Sequence, residues 1–424
     1  MLQVPFIRQN TERVKERLGI RNFKQLDLVD EIIVLDEEVK VLKKRTEDAQ
    51  MKINLASDQI QKLVKNNQKD EIAAIRDEVT LLKVTLNKDK TALEEKMISV
   101  EEKLVLLPNL PHVSVPPGKT PEENEVVRGG GTKPVLYSGA VAHWDLAKKY
   151  DLISFELGNK VTGSGFPFYK NKGAKLQRAL IQYFLDYNTN AGYIEYQPPL
   201  MVNEASAFGT GQLPDKEGQM YFAGADNLYL IPTAEVPVTN IYRDEIIKEA
   251  ELPVKMTAYT PCFRREAGSY GKEVRGLNRV HQFDKVEIIQ LAHPAKSYDV
   301  IEEMVLHVER LLQNLDLPYR ILRLCGGDMG FTSALTYDFE VFSAAQEKWL
   351  EVSSVTNFET FQSNRMKIRF KSNNDAKTQL VHTLNGSSLA LPRIVAALLE
   401  NNQDENEISL PKVLHSYFGC EKID

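Results

Sequence analysis

Phe263-Arg264-Arg265-Glu266 and Arg279-Val280-His281-Gln282-Phe283-Asp284-Lys285-Val286-Glu287 are the stretches on which the reading of this chain turns. A Gly-containing loop, residues 267–278, lies between them. A strand, a basic loop and a returning strand place Arg264, Glu266, Phe283 and Glu287 on one hairpin. Arginine suits a phosphate because its planar fork donates two parallel hydrogen bonds. A carboxylate beside it can accept from an exocyclic amine, and an aromatic ring can stack on a base. One Arg-x-Glu alone would equally suit a solvated, charged hairpin. The rest of the chain has to decide.

Around this hairpin the texture is that of a mixed α/β domain. Residues 175–188 have helical spacing, and 193–202 read as a strand interrupted by Pro198-Pro199. Strand-like runs at 227–231, 255–264, 284–291 and 319–324 alternate with turns, while 297–315 and 389–402 read as helices. Strands dispersed among helices without a steady βαβ rhythm favour α+β with an antiparallel sheet. No Gly-x-x-x-x-Gly-Lys-Ser/Thr loop is present, and no Gly-x-Gly-x-x-Gly follows a strand, so nucleotide would need another device.

The first quarter differs. Ile32, Leu35, Val39, Leu42, Thr46, Ala49, Ile53, Ala56, Ile60 and Leu63 alternate in steps of four and three, a coiled-coil seam. The polar run Asn66-Asn67-Gln68-Lys69-Asp70 breaks it. A second seam follows through Ile72, Ile75, Val79, Leu82, Leu86 and Leu93, then shifts by one step at Met97, Val100, Leu104 and Leu107. Two seams and a short polar join predict an antiparallel hairpin of helices at about 27–65 and 70–107. Pro108, Pro111, Pro116, Pro117 and Gly118 end it, and residues 121–137, with Gly129-Gly130-Gly131, read as a mobile connection. The boundary divides an N-terminal domain, 1–110, from a second, 111–424.

The chain has 424 residues and a net charge of −6, which lowers the expectation of a generic nucleic-acid binder without excluding a local basic surface. Lys40, Lys43, Lys44, Arg45, Lys52, Lys62 and Lys65 on the hairpin could form one; they could equally be a solvated exterior. Three scattered cysteines, Cys262, Cys325 and Cys420, argue against a disulfide framework or a zinc site and fit a reducing cytoplasm. No apolar run is long enough for a membrane span, and no secretory leader is evident.

Taken together, the motifs resemble a known family. Phe263–Glu266 with Phe283–Glu287 looks like motif 2 of the class II aminoacyl-tRNA synthetases. Leu384-Asn385-Gly386-Ser387-Ser388-Leu389-Ala390-Leu391-Pro392-Arg393 looks like motif 3, and the helix leading to Pro198-Pro199 looks like motif 1, the dimer element. Phe208-Gly209-Thr210-Gly211-Gln212-Leu213-Pro214, Ile231-Pro232-Thr233-Ala234-Glu235-Val236-Pro237, His382-Thr383-Leu384-Asn385-Gly386-Ser387 and the helical hairpin are similar to features of the seryl-tRNA synthetases of bacterial type. The resemblance covers essentially the whole chain. It implies an α+β fold: an antiparallel-sheet class II catalytic domain preceded by a long antiparallel α-helical coiled-coil hairpin. It implies a homodimeric, cytoplasmic serine–tRNA ligase that uses ATP and Mg²⁺ but no zinc. Serine would be activated to seryl-adenylate and transferred to the 3′ end of tRNA(Ser), and to tRNA(Sec) where the cell has one. The arm would contact the tRNA outside its anticodon.

Roles follow from the resemblance position by position. Arg264 would bind the ATP α-phosphate, Glu266 the adenine amine, and Phe283 would stack on adenine. Arg393 would hold the γ-phosphate end, and Glu351 and Ser354 would ligate Mg²⁺, hard oxygens for a hard cation. Arg265, Val280, Val352 and Ser353 would complete the ATP wall. Thr233, Ala234, Glu235, Glu287 and Ser387 would form the serine pocket, rejecting alanine because buried polar groups would be left unpaired. On the residues alone, Glu351 reads as a surface carboxylate and Thr233-Ala234-Glu235 as a helix start. No histidine is needed as a base, so His143, His281 and His382 are read as structural or loop residues.

The motif 3 turn departs from the family pattern at Ser388 and at Pro392, which fixes φ just before Arg393, and the lysine usual near Leu335 is missing. Two other readings stand beside the ligase. One is a coiled-coil interaction protein with a synthetase-like scaffold, which loss of either phosphate-facing arginine would favour. The other is a threonine, glycine or alanine enzyme, disfavoured by the arm and by the missing Cys/His metal set.

Overall fold

A computed structural model of the protein describes residues 1–65, 68–215, 217–267, 275–372 and 377–424. Most of the loop 267–278 and the Asn66-Asn67 pair therefore lie outside the described residues. The chain divides into two compact units, residues 1–19 with 23–108, and 20–22 with 109–424.

In the first unit, α1 (Val4–Gln9) and α2 (Thr11–Ile20) precede two long antiparallel helices, α3 (Asp27–Lys65) and α4 (Lys69–Leu104). At 1.5 Å per residue, α3 is about 58 Å long. Every predicted seam position of α3, from Ile32 to Leu63, is buried or half-buried, which is why this polar helix holds its partner. The predicted shift in α4 does not occur. Met97 is 56% exposed, and the seam passes through half-buried Lys96, whose ammonium reaches Glu38 at 2.6 Å. A seam traced through apolar residues alone skips such positions, and Asp89 is another, buried in it and paired with Arg45 at 2.9 Å. Lys40 is likewise paired with Asp36 at 2.7 Å, while Lys43, Lys44, Lys52, Lys62 and Lys65 are exposed.

The second unit is built on one eight-stranded sheet. Its strands are β1 (Glu125–Gly130), β2 (Ile194–Tyr196), β3 (Val254–Phe263), β4 (Gln282–Ala292), β5 (Tyr319–Arg323), β6 (Leu335–Ser343), β7 (Lys348–Asn357) and β8 (His382–Ala390). They lie in the order β1-β5-β6-β7-β8-β4-β3-β2, antiparallel throughout except at the β2–β3 edge. The strand interrupted at Pro198-Pro199 is two strands: β2 joins this sheet, and Met201–Val202 pairs elsewhere with Leu228–Leu230. β1 corrects the reading of 121–137 as a mobile connection. It pairs with β5, and Arg128 is tied to Glu302 at 2.7 Å and Glu309 at 3.2 Å, a fixation that a Gly-rich run does not announce. β6 and β7, a hairpin in the middle of the sheet, are absent from the sequence reading although β6 alternates from Leu335 through Tyr337, Phe339 and Val341, while in β7 an irregular register at Val352 breaks the period.

Helices α5 (His143–Lys149), α6 (Asn171–Asn190), α7 (Glu235–Thr239), α8 (Ser297–Asn314) and α9 (Leu391–Asn401) complete the elements that matter for the site. Leu176, Leu180 and Phe184 of α6, Ile301, Met304 and Leu312 of α8, and Ile394 and Leu398 of α9 share one core with Val286 and Ile288 of β4. Alternation turns the intervening β4 residues to the other face. There Ile289 and Leu291 enter a smaller core with Ala234 and Met366, and the polar residues nearer the start of β4 are left to line a cleft. Among the described residues no helix is long and apolar enough to cross a membrane.

Candidate active site

The cleft encloses about 580 Å³ and is walled by β4, β7, β8 and the segment around Thr233. Phe283, Lys285 and Glu287 occupy alternate positions of β4 and share its cleft face.

At the Glu287 end the polar groups are bonded to one another. Thr233 Oγ1 donates to the Glu287 carboxylate and accepts from Lys285 Nζ at 2.9 Å. The Lys285 ammonium stands 3.0 Å from the same carboxylate, and Glu287 is 1% exposed. The backbone N–H of Glu235 donates to Thr233 Oγ1 at 3.2 Å, so the predicted helix start and the pocket are one structure. From β8, Asn385 Nδ2 reaches the other Glu287 oxygen at 3.4 Å, and Ser387 faces Glu287 across the β4–β8 ladder. Gln362 donates to the Glu235 carboxylate, and its own oxygen accepts from Thr383 at 2.6 Å. Burial, reinforced by Glu287, pushes the Glu235 carboxyl up to about 7.

At the other end the Arg264 guanidinium lies over the Phe283 ring, 5.3 Å from its centroid. Glu266, in the left-handed region at φ 47°, pairs with Arg279 at 3.2 Å. Arg393 Nε donates to the carbonyl of Asn278 at 2.9 Å and its Nη1 to that of Glu351 at 2.7 Å. Pro392 does not pull the arginine away. It occupies the first turn of α9, where its missing N–H is not needed. Ser388 also has work: its hydroxyl donates to buried Asn188 of α6 at 2.9 Å, where the β4–β8 register is irregular.

Glu351 and Ser354 both face the cleft across a β-bulge in β7. Among the described residues no three His, Cys, Asp or Glu side chains converge on a metal position. One carboxylate and one hydroxyl nevertheless fit Mg²⁺, which takes few protein ligands and keeps water and phosphate oxygens for the rest.

Thus Thr233, Glu235, Arg264, Glu266, Val280, Phe283, Glu287, Glu351, Val352, Ser353, Ser354, Ser387 and Arg393 come together in the cleft. Two of the expected site residues do not join that wall. The Ala234 methyl is fully buried in the smaller core, and Arg265 is exposed beside Arg264 with its backbone N–H on Gln219. Extended backbone explains the second case, since neighbours point to opposite sides. Lys285 is a site residue beyond those expected, although its place between Phe283 and Glu287 at period two is legible. Gln362 has no local signal; the fold alone delivers it.

Comparison with known proteins gives two domain matches: a Seryl-tRNA synthetase N-terminal domain over residues 1–111, and a tRNA synthetase class II core domain (G, H, P, S and T) over 222–402. The chain is 49% identical to the serine–tRNA ligase of Salinibacter ruber over 100% of its own length and 99% of that protein. It is 44% identical to the serine–tRNA ligase of Trichlorobacter lovleyi over the full length of both. Among solved structures, the seryl-tRNA synthetase of Pyrococcus horikoshii complexed with ATP superposes with a TM-score of 0.93 at 32% identity, covering 100% of this chain and 99% of that one.

Proposed function

The chain belongs to the seryl-tRNA synthetase family of class II ATP-dependent aminoacyl-tRNA ligases, and from that premise we propose how its residues divide the work of serine–tRNA ligation. The observation that carries the proposal is the buried cluster Thr233–Glu287–Lys285 with Glu235 beside it, in one cleft with Arg264, Phe283 and Arg393. Glu235 and Glu287 receive the serine ammonium and hydroxyl, and Thr233 and Ser387 add short polar contacts. A ligand lacking the hydroxyl leaves buried groups unpaired, so alanine is rejected.

Phe283 stacks on adenine and Glu266 accepts from its amine. Arg264 and Arg393 brace the triphosphate, one at the α-phosphate and one at its far end. The serine carboxylate attacks the α-phosphorus, pyrophosphate departs, and the 3′-terminal ribose hydroxyl of tRNA then displaces AMP. No side chain becomes covalently attached; the residues position the reactants and neutralise charge. Glu351 and Ser354 hold Mg²⁺, which neutralises phosphate charge when bound.

The exposed lysines of the arm contact tRNA(Ser) outside the anticodon, and tRNA(Sec) where the cell makes one. Two chains act as a dimer through the element around α6 and Pro198-Pro199. We place the enzyme in the cytoplasm, in keeping with its unpaired Cys262, Cys325 and Cys420. ATP–pyrophosphate exchange with a panel of amino acids tests the reading. Exchange with serine alone is expected; exchange led by threonine overturns the serine pocket, and no exchange overturns the site.

A further inference from the structure

His143 has no role in the chemistry above, yet it is fully buried and both nitrogens of its ring are engaged. Its Nδ1 lies 2.7 Å from Glu400 Oε1, which also accepts the His143 backbone N–H at 2.9 Å. The backbone N–H of Leu277 donates to Nε2 at 2.9 Å, so Nε2 carries no proton and Nδ1 donates to Glu400. Ser343 Oγ donates to the second Glu400 oxygen, and Gln346 Nε2 donates to the first at 2.9 Å. Burial alone would raise the Glu400 carboxyl, but hydrogen bonds from His143 and Ser343 hold it below its ordinary value.

Gln346 Oε1 in turn accepts from Asn278 Nδ2 at 2.9 Å, and the carbonyl of Asn278 is the one that receives Arg393 Nε. Glu400 and Arg393 both lie on α9, about two turns apart and so on one side of it. Gly276, at φ +67°, presses the leg onto the imidazole: a Cβ there would lie 2.2 Å from His143 Nε2. The circuit closes between α9 and residues 275–280, the returning leg of the motif 2 loop, which supplies Leu277, Asn278 and Val280 to the cleft.

We propose that His143 and Glu400 are positioning residues of the ATP site, holding the returning leg of the motif 2 loop in register with the helix that carries Arg393. The inference rests on reading this cleft as the ATP site. Neither residue lines the cleft or meets the serine pocket, so the pair acts on ATP through Leu277 and Asn278.

Three variants test it by ATP–pyrophosphate exchange, with KM for ATP and for serine measured separately. His143→Asn keeps a donor toward Glu400 and removes the acceptor for the Leu277 N–H. His143→Gln keeps an acceptor at the Nε2 position. Gly276→Ala leaves both residues of the pair in the chain but sets a methyl against His143 Nε2, which forces the leg off the imidazole. His143→Asn and Gly276→Ala should each raise KM for ATP about tenfold and leave KM for serine within about twofold, and His143→Gln should recover most of the loss. Equal rises in both KM values, an unchanged KM for ATP with only a lower melting temperature, or a Gln variant no better than Asn each overturn the proposal. If His143→Asn does not fold, Gly276→Ala and His143→Gln decide alone. Wild-type exchange with serine keeps the cleft reading intact whatever the variants do, so the two failures are distinguishable.

Discussion

Glu351 and Ser354 line one cleft although three positions separate them on a single strand, because Val352 is an extra residue between the pairs Glu340–Glu351 and Phe339–Ser353. In an unbroken strand an odd separation sends two side chains to opposite faces. The bulge restores the phase, a use of bulges that recurs beside active sites. Arg393, reaching in from α9, stands 3.7 Å from the Glu351 carboxylate.

If these two oxygens hold Mg²⁺, Glu351→Gln and Ser354→Ala should each raise the Mg²⁺ concentration for half-maximal exchange at least about tenfold. Titration at fixed ATP checks this. An unchanged midpoint in both variants removes them from the metal site.

The Glu235 carboxyl, pushed up to about 7 by burial and by Glu287, is neutral below that pH and anionic above it. Its anion is the form that receives the serine ammonium. KM for serine should therefore fall as pH rises from about 6 toward about 7.5, approaching about tenfold per unit on the acid side. Glu235→Gln should abolish that slope, and a flat wild-type profile refutes the assignment.

Lys285 supplies the cation nearest buried Glu287. Lys285→Met leaves that carboxylate uncompensated, a change that typically costs about 3–5 kcal/mol in a buried pair. The melting temperature should fall by several degrees, and saturating serine should narrow the gap because its hydroxyl donates to Glu287 and its ammonium, held by Glu235, returns a positive charge to the pocket. A gap that serine does not narrow places Lys285 outside the amino-acid pocket.

On the arm, Lys43, Lys44, Lys52, Lys62 and Lys65 are exposed. Replacing three of them by glutamine should leave pyrophosphate exchange unchanged and raise KM for tRNA. The slope of log affinity against log salt should shrink by about one for each phosphate that a lysine no longer neutralises. Normal charging kinetics and an unaltered salt slope would give the arm another job.

The α3 seam is legible residue by residue, since a coiled coil is specified by a repeat that local sequence carries in full. Where that repeat accepts a polar residue, as at Asp89 and Lys96, the hydrophobic pattern alone goes astray and puts Met97 in the seam. The hairpin of β3 and β4 is legible for a related reason: Phe283 and Glu287 lie on one strand at an even spacing, and the motif resemblance supplies their partners. β6 and β7 are missing from that reading although β6 alternates through Tyr337, Phe339 and Val341; only in β7, where the register slips at Val352, is the period of two broken.

By itself, then, the sequence determined the arm, the motif 2 strands, the strand-to-helix turn at Arg393 and the family those residues resemble. All of these are written in short-range periodicity and motif order. Tertiary structure alone decided that Ala234 turns into the core, that Gln362 reaches Glu235 from 127 positions away, and that His143 and Glu400 meet across 257. Those partners are brought together by sheet order and helix packing, and no local pattern records which distant buried donor will satisfy which acceptor.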